Sequence, residues 1–419
     1  MSRILILAKG SFGDVFPLFA LASALQAQKH TVICAVPEKH RIQAAAYGFE
    51  TLVPQITPSP RKPRGWLRRM LDIILSFDNA SLSDEFSALE DAAKQADLLI
   101  GNQIAFITPL LAETFGKPWV YCAISPLAIY SKFDPPLFPG MHNLPLRGFE
   151  FPGKRAAEYQ IARWVSRFWA SAISRERSRL GLPQRGHPLF EGKFSPDLNL
   201  FLCSSTIITP QPDWPLRTYL TGFCWHAPDF PNNPEQGHEL NRFLSSGPPP
   251  VLLLLGSDAR TRPGHYYHIG IEACRRLNLR TIAVVDPRFH ANLPQGEDVL
   301  VIGYRPYSEL IRSARLVVHS AGIGTLGWCL RYGKFSILTP GAEDQFDNAR
   351  RAEKRGFARV IPRGRYSVDK LTECLREYLT HPDSDAACRQ AAENLSDEDG
   401  ATRACTYVTA LIGQNRKNR

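Results

Sequence analysis

The strongest constraint on the fold is an alternation that runs through the chain twice. In the first half, short apolar runs of strand length (RILILA, TVICAV, DLLIGN, WVYCAIS, LNLFLCSS) are separated by stretches such as VFPLFALASALQAQ that are apolar on a helical period. Runs that are continuously apolar, rather than alternating, are what strands look like when both faces of a sheet are covered. The pattern predicts a parallel sheet with helices on both sides. It breaks at HAPDFPNNPEQGHELNRFLSSGPPP, residues 226–250, which is dense in Pro, Gly, Asn and Ser and reads as a linker. At VLLLLGS it restarts, continuing through LRTIAVV, VLVIGY, RLVVHS and FSILTP. The expectation is α/β architecture in two doubly wound, Rossmann-like domains, residues 1–225 and 251–395. Ligands of such sheets bind beyond the carboxyl ends of the strands, so two domains with those ends facing would enclose a cleft.

A chain of 419 residues suits two such domains. No apolar run approaches the roughly 20 residues needed to span a bilayer. The opening MSRILILAKG has one basic residue and too short an apolar stretch for a signal peptide; it reads as a first β-strand. The nine cysteines (34, 122, 203, 224, 274, 329, 374, 388, 405) show neither CxxC nor zinc spacing, so free core thiols in a reducing cytoplasm are expected and no metal is. The net charge of +10 points to an anionic partner.

HSAGIGTLGWC, residues 319–329, contains Gly322, Gly324 and Gly327 in G-x-G-x-x-G spacing. It lies between the strand RLVVHS and a helix beginning GTLGWCLRYG, where backbone N–H groups at a helix N-terminus bind anions and small residues let a phosphate approach. This geometry speaks for a phosphate without saying whose. Three features count against a nicotinamide cofactor. The loop comes four strands into its domain, whereas a dinucleotide loop follows the first strand. His319 stands at the strand end, able to donate to the same anion. The acids Glu343 and Asp344 lie in a loop beyond FSILTP rather than at the strand end that would meet a ribose.

The stretches GYRPYSELI, ARLVVHSAGIGT and CLRYGKFSILTPGAEDQFDNARRAEKRG, in this order, resemble the donor-binding signature of family 1 glycosyltransferases, the UDP-glycosyltransferase superfamily. GSFGDVFPLFALASALQAQKHTV is similar to the opening of the bacterial antibiotic and sterol branch, and EDGATRACTYVTALI to its closing helix. Only about residues 55–95 and 130–190 lack the likeness. The resemblance implies the two-domain GT-B fold, with residues 396–419 as a helix packing back toward the first domain. It also implies inverting transfer of a sugar from a nucleotide diphosphate (UDP or dTDP) to a hydroxyl, without a cofactor or metal.

Residue by residue, the resemblance places His319 on the diphosphate, with Gly322, Gly324 and Thr325 offering backbone N–H groups and a hydroxyl to its oxygens. Charge developing on that leaving group is what such donors stabilise. His319 taken alone would be a helix-capping or core histidine. Tyr304 falls where relatives carry a base-stacking Trp, and Tyr307 replaces a Gln. Asp344 and Gln345 match the acidic–Gln pair on sugar hydroxyls, a carboxylate accepting from neighbouring hydroxyls and an amide both giving and accepting. Gly256 and Ser257, after the first strand of the second domain, complete the donor set. Ala321 departs from the family's Gly.

In GSFGD, Asp14 falls where this branch carries an Asp and plant relatives a catalytic His; it would be the base for the acceptor hydroxyl, a stabiliser of positive charge on the opening sugar ring, or a cap for the following helix. Ser11 and Phe12 are placed beside the acceptor. The plant enzymes' second Asp has no counterpart in LLIGNQ. The basic run Arg61 to Arg69 reads as a solvated face, although WLRRMLDIILSF is amphipathic enough to keep a peripheral membrane contact open. No nucleic-acid module is present, and a monomer or homodimer is expected. Two other readings stay open: a nicotinamide-dependent oxidoreductase on the 322–327 glycines, and a non-catalytic GT-B partner protein.

Overall fold

The computed structural model describes residues 1–55, 79–138, 153–225, 234–255, 265–381 and 383–417. The basic run 61–69, the overlapping amphipathic stretch 66–77, and the donor candidates Gly256 and Ser257 lie outside the described residues. The chain divides into two compact units, Met1–His226 with Asp399–Arg419, and Ala227–Glu398.

The first unit is built on strands β1 (Arg3–Leu7), β2 (Thr31–Ala35), β3 (Glu50–Leu52), β4 (Leu98–Asn102), β5 (Trp119–Ala123), β6 (Leu198–Phe201) and β7 (Thr218–Leu220). They form one parallel sheet in the order β3-β2-β1-β4-β5-β6-β7. Its helices are α1 (Phe12–Ala27), α2 (Arg41–Ala46), α3 (Asn79–Gln95), α4 (Ile107–Thr114) and α5 (Lys154–Arg179). Ile4, Leu5, Ile6 and Leu7 are all essentially buried, as a strand covered on both faces requires.

The second unit contains β8 (Val251–Leu254), β9 (Thr281–Val284), β10 (Val299–Ile302), β11 (Leu316–His319), β12 (Ser336–Leu338) and β13 (Ala358–Val360), again parallel, in the order β10-β9-β8-β11-β12-β13. Its helices are α6 (Pro234–Ser245), α7 (Tyr266–Arg275), α8 (Tyr307–Ser313), α9 (Ile323–Arg331), α10 (Gln345–Lys354), α11 (Val368–Thr380) and α12 (Ala386–Leu395). The last helix, α13 (Gly400–Lys417), belongs to the first unit and packs on α1. Helix α1 is buried round most of its circumference, including Val15, Leu18, Phe19, Leu21 and Leu25. A helix that apolar needs cover on the side away from its sheet, and Ala404, Cys405 and Val408 of α13 are buried there.

The linker expected over residues 226–250 is corrected: much of it is helix α6. Pro234 is the first helical residue, the position where a missing N–H costs nothing. Leu240 is buried in the core of the second unit, with Phe243 and Leu244 packed against it, an i, i+3, i+4 stripe. The surrounding Pro, Gly and Asn residues masked this stripe in the sequence.

In both sheets the chain order reverses at an internal pair of strands, β1/β4 in one and β8/β11 in the other. Loops leaving the carboxyl ends of such a pair diverge and leave a crevice for ligand. The helix after β1 carries Asp14 in its first turn, and the helix after β11 has Gly322 as its N-cap and Gly324 and Thr325 in its first turn. All nine cysteines are buried and free. Among the described residues no helix is long and apolar enough to cross a membrane.

Candidate functional site

In the second unit, β11 ends at His319 and α9 begins at Ile323 with Gly322 as its N-cap. Between them Ala321 adopts φ +66°, a left-handed conformation unfavourable for a residue with a Cβ. Side chains hold it there from both sides. The Ala321 N–H donates to His319 Nδ1 at 3.2 Å, and Asn348 Nδ2 donates to the Ala321 carbonyl at 3.0 Å. Because Nδ1 accepts, the proton of the imidazole sits on Nε2, which donates to Ser336 Oγ at 3.1 Å. Burial pushes the His319 pKa down to about 3, so the ring is neutral.

This changes the part assigned to His319. Its ring is 1% exposed and engaged at both nitrogens, so it does not present a donor to a phosphate here. What it does is fix the turn. The partly exposed edge of the turn is formed instead by Gly322, Gly324 and Thr325. A Cβ placed on Gly322 would meet no atom within 4 Å, so open space lies in front of the helix start. The first N–H groups of α9 have no partner within the helix, and its dipole favours an anion at this end.

Asn348, which sequence reasoning missed, reaches two of the candidate elements at once. Besides holding Ala321 it donates to Asp344 Oδ2 at 2.9 Å. Asp344 is the N-cap of α10, and Gln345 is its first residue. Gln345 Oε1 accepts from the N–H groups of Gly341 (2.9 Å) and Ala342 (3.2 Å), tying the loop after β12 to the helix. Helix α10 is anchored by Asp347, fully buried and paired with Arg350 and Arg351 at 2.7 Å each. The only sequence signal for Asn348 is its place four residues after Asp344, on the same helix face.

Tyr304 and Tyr307 come together, with ring centroids 5.7 Å apart, and the Tyr307 hydroxyl donates to the Leu255 carbonyl. Tyr266 is another residue the sequence did not flag. Its buried hydroxyl lies against the carbonyls of Leu254 (3.1 Å) and Val318 (2.8 Å), stapling β8 to β11 where the sheet order reverses.

In the first unit, Asp14 sits in the first turn of α1. Its Oδ2 accepts from both the N–H and the hydroxyl of Ser11, each at 2.8 Å. Ser11 is the N-cap, so this carboxylate closes a capping arrangement at the helix start. Gly10, at φ +105°, makes the fold-back feasible: a Cβ there would lie 2.5 Å from Asp14 Oδ2. Two residues outside the motif brace the loop. Asn102, at the end of β4, donates from Nδ2 to the carbonyls of Lys9 (2.7 Å) and Asp14 (3.2 Å). His40 Nε2 donates to the Gly10 carbonyl at 2.9 Å. Asn102 therefore occupies the region in which an acid was sought, and there it holds backbone. Phe12 lies beside His40, with ring centroids 5.0 Å apart. No group of three His, Cys, Asp or Glu side chains able to hold a metal occurs among the described residues.

Residues 285–404, which include the turn after β11 and the Asp344–Gln345 pair, match the glycosyltransferase family 28 C-terminal domain. The chain is 28% identical to O-mycaminosyltylonolide 6-deoxyallosyltransferase of Streptomyces fradiae, over 97% of this chain and 96% of that one. It is 23% identical to sterol 3-beta-glucosyltransferase UGT80B1 of Arabidopsis thaliana, over 96% of this chain and 67% of that one. The crystal structure of the kitacinnamycin glycotransferase superposes with a TM-score of 0.72 at 18% identity, covering 98% of each chain. These similarities run to named glycosyltransferases, and they displace the oxidoreductase and non-catalytic readings of the glycine turn. Two parallel doubly wound units, a helix start with open space before it, and similarity along almost the whole chain to named glycosyltransferases agree: this protein is a glycosyltransferase of the GT-B fold.

Proposed function

We propose that the chain transfers a sugar, with inversion, from a UDP- or dTDP-linked donor to a hydroxyl of a hydrophobic small molecule or lipid. The observation that carries this reading is the turn after β11. A left-handed Ala321, clamped by His319 and Asn348, opens the start of α9 toward free space at the point where strand order reverses.

The N–H groups of the first turn of α9 and the Thr325 hydroxyl then take the donor diphosphate and stabilise the charge it gains as the anomeric bond breaks. Asp344 and Gln345 hold sugar hydroxyls, and the paired tyrosines at 304 and 307 face the base. Gly256 and Ser257 are retained as donor contacts on the resemblance alone. In the first unit, Asp14 takes the proton of the acceptor hydroxyl as its oxygen bonds the anomeric carbon. Ser11 and Phe12 border the acceptor. The names of the relatives, an antibiotic deoxysugar transferase and a sterol glucosyltransferase, support a hydrophobic acceptor.

The test is Asp14→Asn. An amide oxygen can still accept from Ser11, so the start of α1 survives while the base is lost. Turnover should fall about 10²–10⁴-fold, with UDP or dTDP affinity retained by calorimetry. Wild-type turnover in this variant would refute the role.

A further inference from the structure

The first unit holds a second polar feature that sugar transfer does not use. Trp119 and Tyr121, two residues apart on β5, project from the same face of the sheet. With Asn102 at the end of β4, Thr108 on α4 and Lys193 from the short turn Glu191–Lys193, they line a small cavity. Gly101, paired with Tyr121 across the sheet, lets α4 close over it: a Cβ there would lie 2.0 Å from Thr108 Oγ1. The space left for the centre of a water-sized sphere is about 10 Å³, enough for one such particle.

Four of these residues carry a buried polar atom without a hydrogen-bond partner among the described residues: Asn102 Oδ1, Thr108 Oγ1, Trp119 Nε1 and the Tyr121 hydroxyl. Trp119 and Tyr121 are each 2% exposed. Buried polar atoms are almost always paired, so four around one cavity call for a shared partner. The indole is a donor only, and the two hydroxyls can both donate. Asn102 Oδ1 only accepts, and each hydroxyl oxygen can accept as well as donate. The Lys193 ammonium stands 5.8 Å from the centre of the Tyr121 ring and 5.4 Å from that of Phe194. Among the described residues no carboxylate lines the cavity. The packing around Lys193 pushes its pKa down to about 7, and Glu191 is the charge that opposes this. The first turn of α4, with Thr108 and Pro109, also faces the cavity, and a helix start favours negative charge.

We propose that this cavity binds one halide-sized monovalent anion, held by the Lys193 ammonium, the Trp119 N–H and the hydroxyls of Thr108 and Tyr121. Its size excludes polyatomic anions such as phosphate. The proposal is independent of the transfer reading, although Asn102 is common to both: it walls the cavity and braces the Asp14 loop.

The test is unfolding of the full chain at pH 7 and fixed ionic strength, with sodium gluconate exchanged stepwise for sodium bromide. Bromide should stabilise the wild type along a saturating curve, lowering the unfolding equilibrium constant about elevenfold at ten times its dissociation constant. Lys193→Met keeps an apolar stem of similar size and should abolish the saturating component. Tyr121→Phe keeps the cation, loses one donor, and should weaken the response. An anomalous bromide peak within hydrogen-bond distance of Lys193 Nζ and the Tyr121 hydroxyl would fix the position. If wild type and both variants respond alike and linearly to bromide, the occupant is a water molecule and the proposal fails.

Discussion

Removing the Asn348 side chain would test the reasoning about the turn most directly. In Asn348→Ala the buried carbonyl of Ala321 loses its donor at 3.0 Å, and Asp344 loses one at 2.9 Å. Asn348 is fully buried, so water cannot easily replace it at the carbonyl, and a loss of about 2 kcal/mol is expected there. Asp344 is partly exposed, so water takes over and the loss is about 0.5 kcal/mol. Against this, the variant removes Asn348 Oδ1, a buried atom without a partner, which returns about 0.5–1 kcal/mol. The net is about 1.5–2 kcal/mol, or roughly 10- to 30-fold in the equilibrium that opens the turn. Ala321, released from one of its two clamps, is then free to leave the left-handed region. The assay is hydrogen exchange of the peptide covering residues 319–325, which should quicken by about that factor, together with weaker UDP binding by calorimetry. Asn348→Asp should be worse, since it sets an acceptor and a charge against a carbonyl and the Asp344 carboxylate. Wild-type exchange and wild-type nucleotide affinity in Asn348→Ala would refute the clamp.

Two further outcomes follow from the same geometry. Gly10→Ala would put a Cβ 2.5 Å from Asp14 Oδ2 at φ +105°, so it should displace the carboxylate and reduce turnover as strongly as Asp14→Asn while nucleotide binding persists; an active Gly10→Ala enzyme would show that the position of Asp14 is immaterial. His319, held at about 3 when folded against 6.5 when free, binds its proton in the unfolded chain first. The stability contributed by keeping it neutral is therefore present above about pH 6.5 and is lost as pH falls toward 3, by up to about 1.4 kcal/mol per pH unit. In His319→Gln, whose amide oxygen can still accept from Ala321, this slope should vanish, and urea midpoints at pH 4.5, 5.5 and 7 should show the gap to wild type narrowing on acidification; parallel curves would contradict a buried neutral ring.

The strands buried on both faces were legible because continuous apolar runs such as RILILA and RLVVHS have few other places to go. The edge strands β3, β7 and β13 were not: each has three residues and is partly exposed, so none shows such a run. Helix α6 was hidden in a segment whose composition suggested a linker. At the site, local order was readable, since a strand, a glycine turn and a helix start are consecutive in the chain, and Ser11 and Asp14 are only three residues apart. The braces were not. Asn102 lies 88 residues from Asp14, and Asn348 lies 27 from Ala321. A sequence records which residue types are near one another along the chain, and that was enough to specify the two doubly wound units and the glycine turn between β11 and α9. Which distant side chain meets a given carbonyl, and whether His319 faces a ligand or the core, depends on how neighbouring strands align and which face each residue takes. Only the packed sheet decides that.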